Sequence, residues 1–213
     1  MKKWSVAAIL IGWGAMSMWA AVGCELNDPD RDVRRLFPAS TGYRTIYASI
    51  AKKGGSALLQ RVEQRLGDRF QGLFETADVP YTMYRVLRGQ ETIGYIHGVN
   101  QKGRYGGIQA FLAIDSQGRI LAFYYQRLTN NDARPLRSAE FGRQFVGLDL
   151  GDFDRYDVVS GRAAPGSRIA AVRNPAPRAE DDYRSTLRSL KKNLILCDEF
   201  LLGNRFLEKE TGE

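Results

Sequence analysis

The chain has 213 residues, of which 44% are hydrophobic, and this is enough for one domain with a sizeable core. Its formal net charge of +7 comes from scattered lysines and arginines without a dense basic run or a nucleic-acid motif. These charges therefore favour a solvated surface near anionic lipid headgroups over nucleic-acid binding. Two cysteines cannot build a disulfide framework, and no ligand spacing predicts a zinc or haem site.

The first 23 residues have the layout of an export signal. Lys2 and Lys3 precede an uncharged apolar stretch over residues 6–22, and small residues lead to Cys24. The string Ala-Val-Gly-Cys that ends at Cys24 resembles a lipoprotein box, in which the cysteine becomes the lipidated first residue. Two alternatives stay open: an uncleaved membrane anchor, since the stretch approaches the roughly 20 residues of a spanning helix, and cleavage that releases a secreted protein. All three place the domain outside the cytoplasm, on the periplasmic side of a bacterial membrane.

Residues 24–42 are polar, contain two prolines and are predicted to be a tether, so the folded domain is expected over residues 43–213. Residues 1–23 hold two lysines and no acidic residue, so the rest of the chain carries about +5. Inside the domain, leucine and valine recur on one helical face from Ser56 to Leu66, and Gly67 is expected to end this helix.

Four runs rich in aromatic and β-branched residues follow and predict β-strands. They cover residues 81–87, 92–99, 107–114 and 119–127. The segments between them are short and turn-like. Strands joined by such short links pair antiparallel, because a parallel crossover takes about a dozen residues or more.

The C-terminal part is predicted to be helical at both ends. Ser138 is expected to cap a short helix that reaches Phe145, while residues 149–178 look irregular. The last helix carries an apolar stripe that recurs every three or four residues and ends at Gly203. The stripe consists of Tyr183, Leu187, Leu190, Leu194, Cys197 and Leu201. The predicted fold class is therefore α+β, an antiparallel sheet of about four to six strands packed against a long C-terminal helix, with Cys197 in the core.

Several ionisable residues have a structural explanation. His97, the single histidine, is predicted to be a strand residue hydrogen-bonded to a neighbour, since no serine or cysteine nucleophile motif accompanies it. The acidic residues that open the last helix suit the positive end of its dipole. Asp198 and Glu199 are predicted to be a solvated pair. No catalytic or metal-binding constellation is predicted, which disfavours a stand-alone enzyme.

Four short motifs follow one another between residues 94 and 147. They are Gly-Tyr-Ile at 94–96, Gly-Arg-Tyr-Gly-Gly-Ile at 103–108, Ala-Ile-Asp-Ser-Gln-Gly-Arg-Ile at 113–120 and Phe-Gly-Arg-Gln-Phe-Val-Gly at 141–147. In this order and spacing they resemble the FMN-binding domain family, which occurs in flavin-carrying subunits of membrane electron-transfer complexes and in related periplasmic proteins. The resemblance covers about a quarter of the chain.

The resemblance implies a flavin site around the glycine-rich turn of the second motif. Glycines let a backbone approach a flat ring or a phosphate closely, and turn N–H groups with a nearby cation can hold the phosphate. The implied flavin-binding residues are Lys102, Gly103, Arg104, Tyr105, Gly106 and Gly107. Of these, Lys102 or Arg104 is expected nearest the phosphate.

The chain departs from the family at the position that carries a covalent flavin. Many members attach FMN to the threonine of Ser-Gly-Ala-Thr, whereas the closest string here, residues 160–163, places Ala163 at that position. An alternative alignment, anchored on the final helix, places Asn-Pro-Ala-Pro at residues 174–177 there, again without a hydroxyl. FMN, if bound, is therefore expected to be non-covalent. Two functions stay open: an electron carrier or accessory in a membrane protein complex, and a structural or assembly subunit of such a complex that has lost the flavin.

Overall fold

The computed structural model describes residues 24–72 and 75–207. The predicted export signal, residues 1–23, lies outside this part of the chain. Within the described ranges, no helix combines the length and the apolar character that crossing a membrane requires.

The described residues contain short helices at both ends of a central group of strands, followed by one long helix. The helices are α1 (Pro29–Leu36), α2 (Ile50–Lys53), α3 (Gly55–Leu66), α4 (Ala139–Arg143), α5 (Leu150–Phe153) and α6 (Glu180–Cys197). The strands are β1 (Gly42–Ala48), β2 (Tyr81–Arg88), β3 (Glu91–Gly103), β4 (Gly106–Asp115), β5 (Ile120–Arg127), β6 (Tyr156–Asp157) and β7 (Arg162–Ala163). Short 3₁₀ turns cover Asn131–Arg137, Arg168–Ala171 and Pro177–Ala179.

The first five strands form one antiparallel sheet in the order β1-β2-β3-β4-β5, so each strand pairs with its neighbour in the chain. β6 and β7 form a separate small ribbon. The α+β class and the antiparallel sheet against a long C-terminal helix are therefore confirmed. The four predicted strands are all present, and β1 adds a fifth at one edge.

Both faces of the sheet pack against other parts of the chain. Successive side chains of a strand point to opposite faces, so neighbouring residues belong to different cores. Met83 and Leu112 face the side of α3 and α6, which we call the helix face, and belong to the main core. Tyr84 and Phe111 point the other way and belong to a second, smaller cluster on what we call the N-terminal face.

Helix α6 lies across the helix face, where it contacts β3 and β4. Most of the apolar stripe predicted for this helix is buried, with Leu190 and Cys197 at most 1% exposed, while Tyr183 and Leu201 at its two ends are partly buried. A π-helical turn, Asp198–Leu202, continues the helix, and Gly203 ends it with a φ of 70°. The long final helix and the core position of Cys197 are confirmed.

The segment predicted to be a tether is instead packed against the N-terminal face. Asp28 caps α1 by accepting the N–H of Arg31, and Val33 and Phe37 are 2% and 5% exposed. Burial of two such side chains contributes roughly 1.5–3 kcal/mol each. The helix is too short and too charged for its two apolar positions, Val33 and Leu36, to stand out as a periodic pattern, which is why the prediction missed it.

The prediction that Asp198 and Glu199 form a solvated pair is wrong. Both side chains are fully buried, and Arg65 of α3 reaches Asp198 at 2.5 Å and Glu199 at 2.8 Å. Arg61 adds a second bond to Glu199 at 2.8 Å. The arginines come from a helix more than 130 residues away in the chain, so local sequence gives no sign of the pairing.

Candidate functional site

The glycine-rich motif forms the tip of the β3–β4 hairpin. Gly103 pairs with Gly106, and Arg104 and Tyr105 make the two-residue turn between them. Gly106 has a φ of 126°, a conformation that side chains rarely adopt, so the turn itself requires glycine there. Tyr105 is 64% exposed at the tip.

Asp182 holds this hairpin against the start of α6. Its Oδ1 accepts the backbone N–H of Arg104 at 2.8 Å, and its Oδ2 accepts the side-chain N–H of Asn130 at 2.6 Å. A Cβ on Gly103 would lie 2.7 Å from the same Oδ1 and 2.8 Å from Ile108. The glycine at 103 therefore lets the hairpin approach the helix, and Asp182, 1% exposed, fixes the two together.

One cleft, which we call the hairpin cleft, opens beside this contact and has a volume of about 370 Å³. It is lined by the hairpin end at residues 101–104, by Asp68 and Gln71, by Val158 and Val159, and by Asp181, Ser185 and Arg188 of α6. Three of the six predicted flavin-binding residues, Lys102, Gly103 and Arg104, thus share one cleft. Tyr105, Gly106 and Gly107 are not among its lining residues.

Two cations of the hairpin cleft are available to a ligand. The Lys102 side chain is exposed and makes no hydrogen bond or ion pair with any described residue. The Arg104 guanidinium lies over the ring of Tyr105 and is 3.9 Å from Asp181, an exposed pair that contributes little. Arg188 is different, because it already binds Asp68 and two buried oxygens below the cleft.

The residues of the hairpin cleft fit a phosphate-bearing ligand such as FMN. Cofactor pockets commonly have volumes of about 300–1,000 Å³, and the cleft lies within that range. Lys102 and Arg104 supply positive charge for a phosphate. Of the two carboxylates in its lining, Asp68 is paired with Arg188 at 3.0 Å, which reduces its repulsion of an anion.

The string that corresponds to the family's covalent-flavin motif forms the turn between β6 and β7. Asp157 shapes this turn by accepting the N–H groups of Val159 and Ser160 and the hydroxyl of Ser160. A Cβ on Gly161 would lie 2.4 Å from Nε of Arg184. Because Val158 and Val159 line the hairpin cleft, the fold brings this turn beside the glycine-rich hairpin, although the two are about 55 residues apart in sequence.

Below the hairpin cleft lies a buried ionic cluster that the sequence analysis missed. The Lys192 ammonium contacts Glu75 at 2.5 Å, the carbonyl of Asn100 at 2.7 Å and Gln101 at 3.2 Å. Burial would raise the pKa of Glu75, but the charges of Lys192 and Arg188 outweigh it and lower the pKa below its ordinary value. The sequence signal was a pair of consecutive lysines, Lys191 and Lys192, in a helix that carries an apolar stripe.

A second buried polar group joins His97 to α6. Nδ1 of His97 lies 2.8 Å from Oδ1 of Asn193, whose amide donates to the His97 carbonyl. Burial lowers the pKa of His97 to about 4 and raises the pKa of Cys197 well above its ordinary value. A neutral, inaccessible thiol beside a neutral imidazole is unsuited to nucleophilic catalysis. The predicted structural role of His97, hydrogen-bonded to a neighbour, is confirmed.

Cys24, the predicted lipidation site, is 4% exposed and belongs to the cluster on the N-terminal face. Burial raises the pKa of its thiol to about 12. Among the described residues, no group of three or more histidine, cysteine or acidic side chains is arranged to hold a metal ion.

Comparisons with known proteins add no support to the resemblance to the FMN-binding domain family. No model of a known protein family matches the sequence, and no curated protein matches it significantly. The function of the domain is therefore inferred from the residues and geometry of the hairpin cleft.

Proposed function

We propose that the domain binds FMN non-covalently in the hairpin cleft and acts in membrane-associated electron transfer, as a carrier or an accessory subunit. One observation supports this above the others. Lys102, Gly103 and Arg104 of the glycine-rich hairpin meet Val158 and Val159, which directly precede the Ser160–Gly161 turn, in a single cleft. Those are the two parts of the chain that the family resemblance associates with flavin.

In this proposal the side chains of the cleft bind and orient the cofactor. Lys102 and Arg104 hold the phosphate by charge-assisted hydrogen bonds, and the 61% exposed Val159 offers an apolar contact for the ring. A bound FMN supplies the redox chemistry, and the chain supplies binding and electrostatic tuning. Ala163 has no hydroxyl for a phosphoester, so the bond to FMN is non-covalent.

The proposed location is the periplasmic side of a bacterial membrane, with Cys24 as the lipidated first residue and a membrane protein complex as the partner. A lipid on the Cys24 sulfur requires this side chain to leave its packed position on the N-terminal face. More than one acyl chain makes such anchoring stable. An uncleaved N-terminal anchor is the alternative. Mass measurement of the protein purified from its membrane decides between them, because lipidation removes residues 1–23 and adds the acyl mass at Cys24.

The flavin proposal is tested by titrating the purified domain into FMN and following the quenching of flavin fluorescence. The double variant Lys102→Gln/Arg104→Gln is expected to weaken binding by about ten- to a hundredfold. Arg44→Gln, which removes an exposed arginine from the edge strand β1, is the matched control and is expected to bind like the unmodified protein. Charge substitutions are a cleaner test than changes at Gly106, where any side chain strains the turn.

Acid precipitation of the loaded protein tests the absence of a covalent bond. Yellow absorbance in the supernatant is the expected result, and absorbance retained in the pellet contradicts it. Equal FMN affinity of the double variant and the unmodified protein would show that the site lies elsewhere.

A second candidate function is a structural or assembly subunit without flavin. The observation that favours it is that Gly103 and Gly106 are both explained by the hairpin itself, through the contact with Asp182 and the positive φ. A protein that stays colourless after incubation with FMN, and that co-purifies with other membrane proteins, would support this second function.

A further inference from the structure

Two consecutive lysines of α6 are both buried but differ in their partners. Lys192, 2% exposed, has the carboxylate of Glu75 as a counter-ion. Lys191, 5% exposed, donates to the backbone carbonyl of Tyr156 at 3.1 Å. Within residues 24–72 and 75–207, no carboxylate lies within ion-pair distance of Lys191.

This arrangement leaves the charge of Lys191 incompletely compensated. Burial lowers the pKa of Lys191, and the more distant Asp154 and Asp157 only partly offset that effect. A buried charge without a counter-ion is destabilising, because it has lost hydration without gaining a comparable partner. An anion that reached Lys191 would supply the missing compensation.

Lys191 also borders a cleft with a volume of about 780 Å³. This cleft, which we call the ribbon cleft, lies between the end of α3 at residues 66–67 and the β6–β7 ribbon. Arg155 and Arg162 line it as well, and both are exposed. Neither guanidinium forms a hydrogen bond or an ion pair with another described residue.

Of the two carboxylates that line the ribbon cleft, Asp157 competes little for these cations. Asp157 is already bound by the hydroxyl of Ser160 and by two N–H groups of its own turn, and these bonds lower its pKa. Lys191, Arg155 and Arg162 outnumber Asp154 and Asp157, so the lining carries net positive charge.

The neighbouring cleft on the other side of Lys191, about 420 Å³, is a weaker candidate. It contains Arg61 and Arg65, but both arginines are committed to Asp198 and Glu199. The donors that remain for a ligand are therefore on the ribbon side.

We propose that the ribbon cleft is a binding site for a phosphate group, held by the ammonium of Lys191 and by the guanidinium groups of Arg155 and Arg162. Phosphate suits this set, because guanidinium groups and an ammonium bind its oxygens through charge-assisted hydrogen bonds. The phosphate comes either from a soluble phosphate compound or from the headgroup of an anionic lipid.

This site is separate from the proposed flavin site. The two clefts share Val158 but no cation, since Lys102 and Arg104 line only the hairpin cleft. The two proposals can therefore fail independently. A change at Lys191 tests phosphate binding, whereas changes at Lys102 and Arg104 test FMN binding.

The test is calorimetric titration of the purified domain with inorganic phosphate, at constant ionic strength maintained with chloride. We expect the unmodified protein to bind, and Lys191→Met to bind about ten- to a hundredfold more weakly. Arg178→Gln, at an exposed arginine outside the ribbon cleft, is the control for general loss of positive charge and is expected to keep its affinity. No phosphate or vesicle binding by the unmodified protein, or equal affinity in Lys191→Met, would overturn the proposal.

Vesicle binding distinguishes the two sources of phosphate. Vesicles of phosphatidylglycerol and of phosphatidylcholine are each sedimented with the unmodified domain and with Lys191→Met. Binding to phosphatidylglycerol that requires Lys191 assigns the site to a lipid headgroup, whereas phosphate binding without vesicle binding assigns it to a soluble compound. Vesicle binding that survives in Lys191→Met, in a protein that does not bind free phosphate, contradicts the site.

A folding defect in Lys191→Met does not leave the test undecided. Methionine keeps most of the length of lysine and removes the uncompensated charge, so the variant is expected to fold. If it does not, the double variant Arg155→Gln/Arg162→Gln changes only exposed side chains of the same cleft. That variant is expected to lose phosphate affinity, and unchanged affinity would refute the site.

Discussion

The ammonium of Lys192 lies 2.5 Å from the carboxylate of Glu75, and both side chains are buried beneath the hairpin cleft. Glu75 belongs to the loop after α3, so this contact ties the loop to α6. Arg188 binds the same carboxylate oxygen at 2.6 Å, and Gln101 of β3 receives bonds from both cations. Three separate segments of the chain are thus held together by one ionic cluster.

Removal of Glu75 is expected to be strongly destabilising. Glu75→Gln leaves Lys192 buried without its counter-ion, and breaking such a pair lowers the free energy of unfolding by about 3–5 kcal/mol. Urea denaturation followed by circular dichroism measures this loss. Glu91→Gln breaks an exposed pair with Arg88 and is expected to change stability by less than about 1 kcal/mol. Equal effects of the two substitutions would contradict the importance of the buried cluster.

His97 is expected to make the domain less stable in mild acid. Its pKa is about 4 in the folded protein and 6.5 without the fold, so between these values the unfolded chain binds a proton that the folded chain does not. Stability is therefore complete above pH 6.5 and decreases as the pH falls, by about 2 kcal/mol between pH 7 and pH 5. Denaturation at a series of pH values measures this slope.

The variant His97→Asn is the control for this pH dependence. Asparagine can still donate a hydrogen bond to Asn193 but does not titrate, and the chain has no other histidine. The variant is expected to show a flat stability profile between pH 7 and pH 5. A slope that persists in the variant would assign the effect to other groups.

Asp182 is expected to control the order of the hairpin tip. Asp182→Ala removes the acceptor for the N–H of Arg104 and for Asn130, and unpaired buried donors lower stability by about 3 kcal/mol. Hydrogen exchange of the Arg104 amide is expected to accelerate, and FMN binding is expected to weaken with it. Asp181→Ala, at the 67% exposed neighbour, is the control and is expected to leave the exchange rate unchanged. Equally fast exchange in both variants would contradict the role of Asp182.

Arg65 is expected not to tolerate replacement by lysine. Its two terminal nitrogens bind different acids, Asp198 at 2.5 Å and Glu199 at 2.8 Å, and a single ammonium cannot reproduce that fork. Arg65→Lys is expected to lower the free energy of unfolding by about 2 kcal/mol. Arg69→Lys, at an exposed arginine, is the matched control with an expected change within about 0.5 kcal/mol. Chemical denaturation compares them, and an unchanged midpoint for Arg65→Lys would contradict the prediction.

The sequence alone predicted those parts of the fold that depend on residues close together in the chain. Runs of aromatic and β-branched residues predicted the four central strands, the short turn-like links predicted their antiparallel pairing, and the apolar stripe predicted α6 with Gly203 at its end. The order of the motifs also identified residues 102–107 as a candidate binding segment, and these residues lie at the tip of the β3–β4 hairpin. These features depend on residues within a few positions of each other, and the described fold contains the elements predicted from them.

The tertiary structure alone decided which charges are buried and what they meet. In the sequence, Asp198 and Glu199 resemble surface residues, but in the fold they are buried and paired with Arg61 and Arg65 of α3. Lys191 and Lys192 are adjacent and identical in type, but only Lys192 forms an ion pair with a carboxylate. Sequence patterns report the side-chain period of one element, but the free energy of a buried charge depends on partners that lie far apart in the chain. The clefts therefore became visible only once the fold had brought these segments together.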